Sequence, residues 1–292
     1  MKRNRSIRIA VSQFPVTGDV RANGRHIRRL IAAVAGQGAD ILQTCEAALS
    51  GYGGTDVASW QEYDWQALAE ETDAVLDCAR RHGIWMTLGS SHYLDARSKP
   101  TNCLYLVNDR GKIGDRYDKR FCTSRDLKSY TPGNHAVAWR LNGFRLGLAI
   151  CYDGCFPHLY RHYENAGVEI MLHSFYNAGA RGRSCLDEIG PAWVQVRAAD
   201  HAMWVFASNS SRRHSNWPSM IAGPDGTVAV CMPRHRTGVA TYEVTAVAPA
   251  DPKTGWLHMS RYRPLYRRGV LHNGRPSRCR RAIDRRCGPV VS

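Results

Sequence analysis

The chain has 292 residues, 43% of them hydrophobic and 22% charged, enough for one large α/β domain with a sizeable core. No uninterrupted apolar run approaches a membrane span, so a soluble, cytoplasmic protein without membrane partners is expected. The formal charge of +15 is uneven: residues 261–292 hold ten arginines against the single acid Asp284, which leaves +6 for the first 260 residues.

The N-terminal segment begins with basic residues, but Arg8 and Gln13 interrupt the apolar stretch behind them and Pro15 ends it. It reads as a first strand, Ile7 to Phe14, rather than an export signal, and the alternation of Ile7, Ile9 and Val11 suits a half-buried strand. A helix is predicted over 22–36, with Ile27, Leu30, Ile31 and Val34 on one face and glycines 36 and 38 as its stop. A short strand from Ala39 to Thr44 leads to Glu46. A helix over 64–82 ends at Gly83, before a strand from Ile84 to Leu88.

The middle of the chain turns β-rich, with a strand from Cys103 to Asn108, a turn at Asp109-Arg-Gly111 and a strand through Ile113 toward Lys119. Leu141-Asn-Gly-Phe144 is a strong hairpin signal, because Asn-Gly supplies the positive φ angles of a two-residue turn. The strand Phe144 to Ile150 leads into Cys151. A helix starting at Pro157 and ending by Gly167 comes next, then a strand over 168–173, a helix over 188–201, a strand over 203–208 and a hairpin at Pro224-Asp-Gly226. The expected organisation is one domain over 1–260 and an arginine-rich extension over 261–292.

Most of the ten cysteines, which form no CxxC pair, read as buried thiols in a reducing compartment, with Cys103 and Cys231 in apolar surroundings. His158 and His162 share a helical face but lack the Glu of an HExxH site, so no metal is expected. The basic tail could hold RNA or an acidic partner. It carries no aromatic residue for base stacking beyond Tyr266, and a solvated or partner-covering extension is the preferred reading.

Cys151 taken alone is better explained by a core position than by catalysis, since a cysteine in an apolar strand is usually core. Its place is suggestive, at the carboxyl end of a strand and before a helix, where a thiolate would gain from the helix dipole. The surrounding residues change the balance. Leu148-Ala-Ile-Cys151-Tyr-Asp153 with Phe156-Pro157 resembles the nucleophile segment of the nitrilase superfamily of carbon-nitrogen hydrolases. Glu46-Ala-Ala-Leu-Ser-Gly51-Tyr52 and Tyr117-Asp-Lys119-Arg120 resemble that family's two other catalytic segments, in order. Further matches run through Tyr130-Thr-Pro132-Gly133, Arg197-Ala-Ala-Asp200, Asn209 and Pro224-Asp225-Gly226.

The resemblance implies a four-layer α-β-β-α sandwich and an amidohydrolase acting through a thioester. Cys151 would be the nucleophile, Glu46 the general base and Lys119 an oxyanion stabiliser, joined by the backbone N–H of Tyr152. It implies no metal or organic cofactor, a small-molecule amide and water as reactants, and a homodimer or larger assembly. Asp126 stands where relatives carry a second glutamate, as a tentative supporting acid, and Tyr52, Phe156 and Ser174 are candidate pocket walls. Cys45 replaces a common proline, and His158 a glutamate. Gly154 and Cys155 stand where relatives that grip a carboxylate carry arginines, so no carboxylate is expected to bind there. Tyr152, where nitrilases have tryptophan, favours amides over nitriles. An N-carbamoyl hydrolase and a nitrilase are the alternatives within the family. A non-catalytic protein using the basic tail to bind nucleic acid or a partner is the alternative outside it.

Overall fold

The computed structural model describes residues 5–177, 182 and 184–245. Its first strand, β1 (Ser6–Gln13), is buried on both faces rather than half-buried. Ile7, Ile9 and Val11 point into one hydrophobic cluster and Ala10 into another, because β1 lies inside a layered stack. Helix α1 (Val20–Ala35) packs over it, N-capped by the Asp19 carboxylate, which accepts from the Ala22 N–H. Next come β2 (Ile41–Gln43), α2 (Trp65–His82), β3 (Trp85–His92), β4 (Thr101–Val107), β5 (Ile113–Asp118) and the single turn α3 (Asp126–Ser129).

The second half begins with β6 (Ala138–Leu141) and β7 (Phe144–Ile150), paired antiparallel across the expected two-residue turn. Asn142 and Gly143 there have φ of 49° and 81°, the combination that only short polar residues and glycine adopt cheaply. A five-residue 3₁₀ turn (Cys151–Cys155) leads to α4 (Pro157–Asn165), followed by β8 (Ile170–Ser174), α5 (Leu186–His201), β9 (Trp204–Ser208), β10 (Met220–Ala222), β11 (Val228–Cys231) and β12 (Gly238–Thr245).

Two six-stranded sheets result, ordered β12-β1-β2-β3-β4-β5 and β11-β10-β9-β8-β7-β6. Ile7, Ile9, Val11, Leu104 and Leu106 of the first sheet meet Leu146, Leu148, Ile150, Ile170 and Leu172 of the second in one buried cluster. Each such fully buried aliphatic side chain stabilises the stack by roughly 1.5–3 kcal/mol. The outer face of the first sheet is covered by α1 and α2, and that of the second by α4 and α5, giving the α-β-β-α sandwich. Polar bonds also tie the sheets together: the Ser174 hydroxyl donates to the Thr44 carbonyl at 2.7 Å, and the Ser208 hydroxyl to the Ser12 carbonyl at 2.6 Å.

Two expectations need correction. Cys231 is exposed, because β11 is an edge strand with little covering it, whereas Cys103 is fully buried as expected. β12 was not foreseen as a strand; it pairs antiparallel with β1 over eight residues and closes the edge of the first sheet. Residues 261–292 lie outside the described residues. No helix among the described residues is long and apolar enough to cross a membrane.

Candidate active site

Three strand ends converge beneath the carboxyl edges of the sheets. Glu46 follows β2, Lys119 follows β5, and Cys151 follows β7 of the opposite sheet. Lys119 is the hub. Its Nζ lies 2.8 Å from Glu46 Oε1, 2.9 Å from Asp126 Oδ2 and 3.5 Å from the Tyr52 hydroxyl. All four side chains are buried, and Tyr52 also donates to Asp126 Oδ1. An ammonium facing two carboxylates at this depth has its desolvation offset by both, and losing either would leave charge uncompensated.

Glu46 is held on one oxygen only. Asn102 Nδ2 donates to Oε1 at 2.7 Å alongside Lys119, while buried Oε2 has no hydrogen-bond partner among the described residues. Burial pushes the Glu46 carboxyl up to about 7; Asp126 pushes the same way and Lys119 opposes. Lys119 is held well above the usual lysine range, since its acidic neighbours, led by Glu46, outweigh the burial that disfavours its charge. For Asp126 burial acts upward, but Lys119, the Tyr52 hydroxyl and the Thr123 N–H prevail and lower it.

Cys151 has φ of 43°, a left-handed conformation uncommon for a residue with a side chain. This sharp exit from β7 places it at the head of the 3₁₀ turn. The expectation of a dipole-lowered thiol does not hold: burial and then the Glu46 carboxylate push the thiol well up, against Lys119 and the Tyr176 backbone N–H. Above about pH 7 the resting state is therefore a neutral thiol under the influence of an ionised Glu46.

The buried Asp153 carboxylate braces the turn, accepting from the Tyr117 hydroxyl at 2.7 Å and the Ile150 and Phe121 N–H groups at 2.9 Å each. Tyr52 stacks on Tyr176 at 4.9 Å between ring centroids. Phe156 stacks on Phe121 at 3.8 Å and meets Tyr152 edge-on. The structure thus brings Glu46, Lys119, Asp126, Tyr52, Cys151, Tyr152 and Phe156 into one region. Ser174 is fully buried, and its hydroxyl donates to the Thr44 carbonyl, bracing the two sheets.

Asn102, Asp153 and Tyr176 were not singled out from the sequence. An amide inside the otherwise apolar β4 was the available signal for Asn102; Tyr176 carried none. No cluster of His, Cys, Asp and Glu among the described residues could hold a metal ion.

Residues 8–250 match the carbon-nitrogen hydrolase family model, and the chain belongs to that family. It is similar to the deaminated glutathione amidases of Yersinia enterocolitica, at 31% identity over 33% of this chain and 38% of that protein, and of mouse, at 27% over 51% of each. The chain therefore spans about half or less of the length of these curated relatives. The Dictyostelium discoideum deaminated glutathione amidase matches more fully, at 24% identity over 82% of this chain and 88% of that protein. Among solved structures, an amidase from Nesterenkonia sp. AN1 superposes with a TM-score of 0.73 at 20% identity, over 92% of this chain and 98% of the other, and supports the same fold.

Proposed function

We propose that the protein is an amidase that cleaves a small non-peptide amide through a thioester on Cys151. The observation that carries this reading is the asymmetric hold on Glu46: one oxygen is fixed by Lys119 and Asn102, the other is buried without a hydrogen-bond partner among the described residues, and the Glu46 charge acts on the Cys151 thiol. Glu46 takes the thiol proton as Cys151 Sγ attacks the amide carbon. The oxyanion that forms is stabilised by the Lys119 ammonium and the Tyr152 N–H. On collapse the C–N bond breaks, and the proton held by Glu46 goes to the departing nitrogen, releasing ammonia or an amine. Glu46 then deprotonates water, which attacks the thioester; the C–S bond breaks, and the acid leaves as Cys151 recovers a proton. Asp126 supports Lys119.

The reading draws support, for the cysteine as nucleophile, from a mutant of the Nesterenkonia amidase whose active-site cysteine carries the acetamide moiety of fluoroacetamide by covalent addition. Gly154 and Cys155 offer no cation at their positions, which favours an amide whose acyl half carries no carboxylate there. Deaminated glutathione, the substrate in the names of several relatives, serves as the contrasting probe.

The test is intact-mass analysis after mixing the protein with simple aliphatic amides, deaminated glutathione, N-carbamoyl compounds and nitriles. An acyl adduct on the wild type and none on Cys151→Ala is expected; turnover by Cys151→Ala at the wild-type rate would defeat the assignment. Truncation near Arg261 should leave the adduct intact, in keeping with a hydrolase domain over 1–260. Loss of salt-dependent nucleic-acid binding on truncation, with no adduct in either form, would favour the binding-protein alternative. A cytoplasmic homo-oligomer belongs to the same reading, and a monomeric mass in light scattering would remove the oligomer.

A further inference from the structure

We infer that His173 is a positioning residue for the nucleophile turn: its bond to the Cys151 carbonyl orients the Cys151–Tyr152 peptide and so aims the Tyr152 N–H at the oxyanion. This rests on the proposed amidase reaction. His173 sits on β8, directly beside Ala149 of β7 in the parallel register, on the sheet face covered by α4 and α5. It is buried, and Nε2 lies 3.2 Å from the Cys151 carbonyl oxygen. On the other side of the ring, Nδ1 lies 2.6 Å from the hydroxyl of Tyr160, on α4.

These two partners fix the tautomer. A carbonyl oxygen can only accept, so Nε2 must carry the proton, and Nδ1 is then an acceptor for the Tyr160 hydroxyl. Burial drives the His173 pKa down to about 3 and pushes the Tyr160 phenol up, so the ring stays neutral and the phenol keeps its proton. Stacking on Phe175 at 4.1 Å holds the ring plane.

Peptide geometry carries the effect from one atom to the other. The carbonyl of Cys151 and the N–H of Tyr152 belong to one planar trans unit and point in opposite directions. Pinning the carbonyl toward the helix layer turns the N–H the other way. Such a device has work to do here, since Cys151 is held at positive φ, where an L residue does not settle unaided. A second tie meets the same turn: Arg197 Nε of α5 donates to the Gly154 carbonyl at 2.9 Å.

Gly154 shows that the space is committed. A Cβ there would stand 2.9 Å from His173 Cε1, and the ring is held by its bonds on two sides, so it cannot swing away cheaply. The departure from the family pattern at this position thus has a local cause: the room a side chain would need is filled by the imidazole.

The test compares His173→Leu, His173→Gln, Tyr160→Phe and Gly154→Ala by single-turnover acylation with an amide that acylates the wild type, by steady-state kinetics, and by alkylation of Cys151 with iodoacetamide. Alkylation needs the thiol but builds no oxyanion. Removing an oxyanion donor costs about 10²- to 10³-fold, so misaiming one in His173→Leu should slow acylation by about 10- to 100-fold, with KM within about threefold. Alkylation should stay near the wild-type rate. His173→Gln, which can place an amide N–H near the same carbonyl, should recover most of the loss, and Gly154→Ala should reproduce it. Acylation by His173→Leu at the wild-type rate, alkylation falling in step with acylation, or a Gln variant as slow as Leu would each overturn the inference.

If His173→Leu does not fold, Gly154→Ala and ¹⁵N NMR of labelled histidine in the wild type decide. An Nε2–H tautomer that does not titrate between pH 5 and 8 is expected, and an Nδ1–H tautomer would overturn the clamp. If no amide acylates the wild type, the proposed reaction fails, while the NMR result still tells whether the clamp exists.

Discussion

Cys151 lies between two regions that hold it by different means. Toward the first sheet, Glu46, Lys119, Asp126 and Tyr52 form a buried knot of ionisable groups in which the protonation of each depends on the others. Toward the second sheet, His173 and Arg197 grip backbone carbonyls, Tyr160 steadies the His173 ring from its other side, and that ring, in contact with Cys151, is neutral. In the proposed reaction the first region sets charge and proton traffic, and the second sets direction. Damage to the charged members of the knot should therefore appear in stability and in pH profiles, and damage to the clamp in rate alone.

The sharpest way to break that contrast is Lys119→Met. It removes the one cation shared by two buried carboxylates, and breaking a buried pair of this kind costs about 3–5 kcal/mol. The variant should lose thioester formation and show a lower denaturation midpoint. The stability deficit should grow as pH rises from 5 to 8, because the orphaned carboxyls fold more readily when protonated. Equal deficits at both ends of that range would mean that the carboxylates find other partners.

Asp126→Asn sharpens the pH side. Glu46, raised to about 7 chiefly by burial, must be ionised to accept the thiol proton, so kcat/KM should climb as pH rises through about 7. The Asp126 charge contributes to that rise, and replacing it with an amide should move the acidic limb to lower pH. An unmoved limb would show that another group controls it. His173→Leu, by contrast, should leave the limb in place while lowering the rate.

The two regions also differ in how visible they are in the sequence. Glu46, Lys119 and Cys151 each follow a strand within a recognisable segment, so a local reading singled them out. Asn102 and His173 act through strand neighbours far along the chain: β4 delivers the Asn102 amide to Glu46, and the parallel pairing of β7 with β8 sets His173 beneath the nucleophile turn. Neither has a local signature beyond a polar residue in an apolar strand. The same long-range pairing explains the misjudged burial of β1, whose second face is covered only once α1 and the opposite sheet are in place. Cys231 was misread for the converse reason, since an edge strand looks like an interior one until its neighbours are known.

Tyr52→Phe should have a smaller effect. It keeps the ring stack on Tyr176 and removes only the hydroxyl shared with Asp126 and Lys119. A lost hydrogen bond to a charged group is worth about 1.5–3 kcal/mol, and here the carboxylate keeps its Lys119 and Thr123 partners, so the loss should fall toward or below the lower end. Acylation should slow by about tenfold, read by stopped-flow, with the pH limb nearly unmoved.

The smallest expected quantity is the most discriminating: the coupling between Asp126→Asn and His173→Leu in a double-mutant cycle on the acylation rate. One variant weakens the support of Lys119 and the other the aim of the Tyr152 N–H, and neither removes the other's donor. With no shared contact among the described residues, the two losses should add to within about 0.5 kcal/mol. A double variant no slower than the worse single one would mean that the knot and the clamp stabilise the oxyanion only when both are intact. The division between charge on one sheet and direction on the other would then be false, because a second donor would have no value without the first.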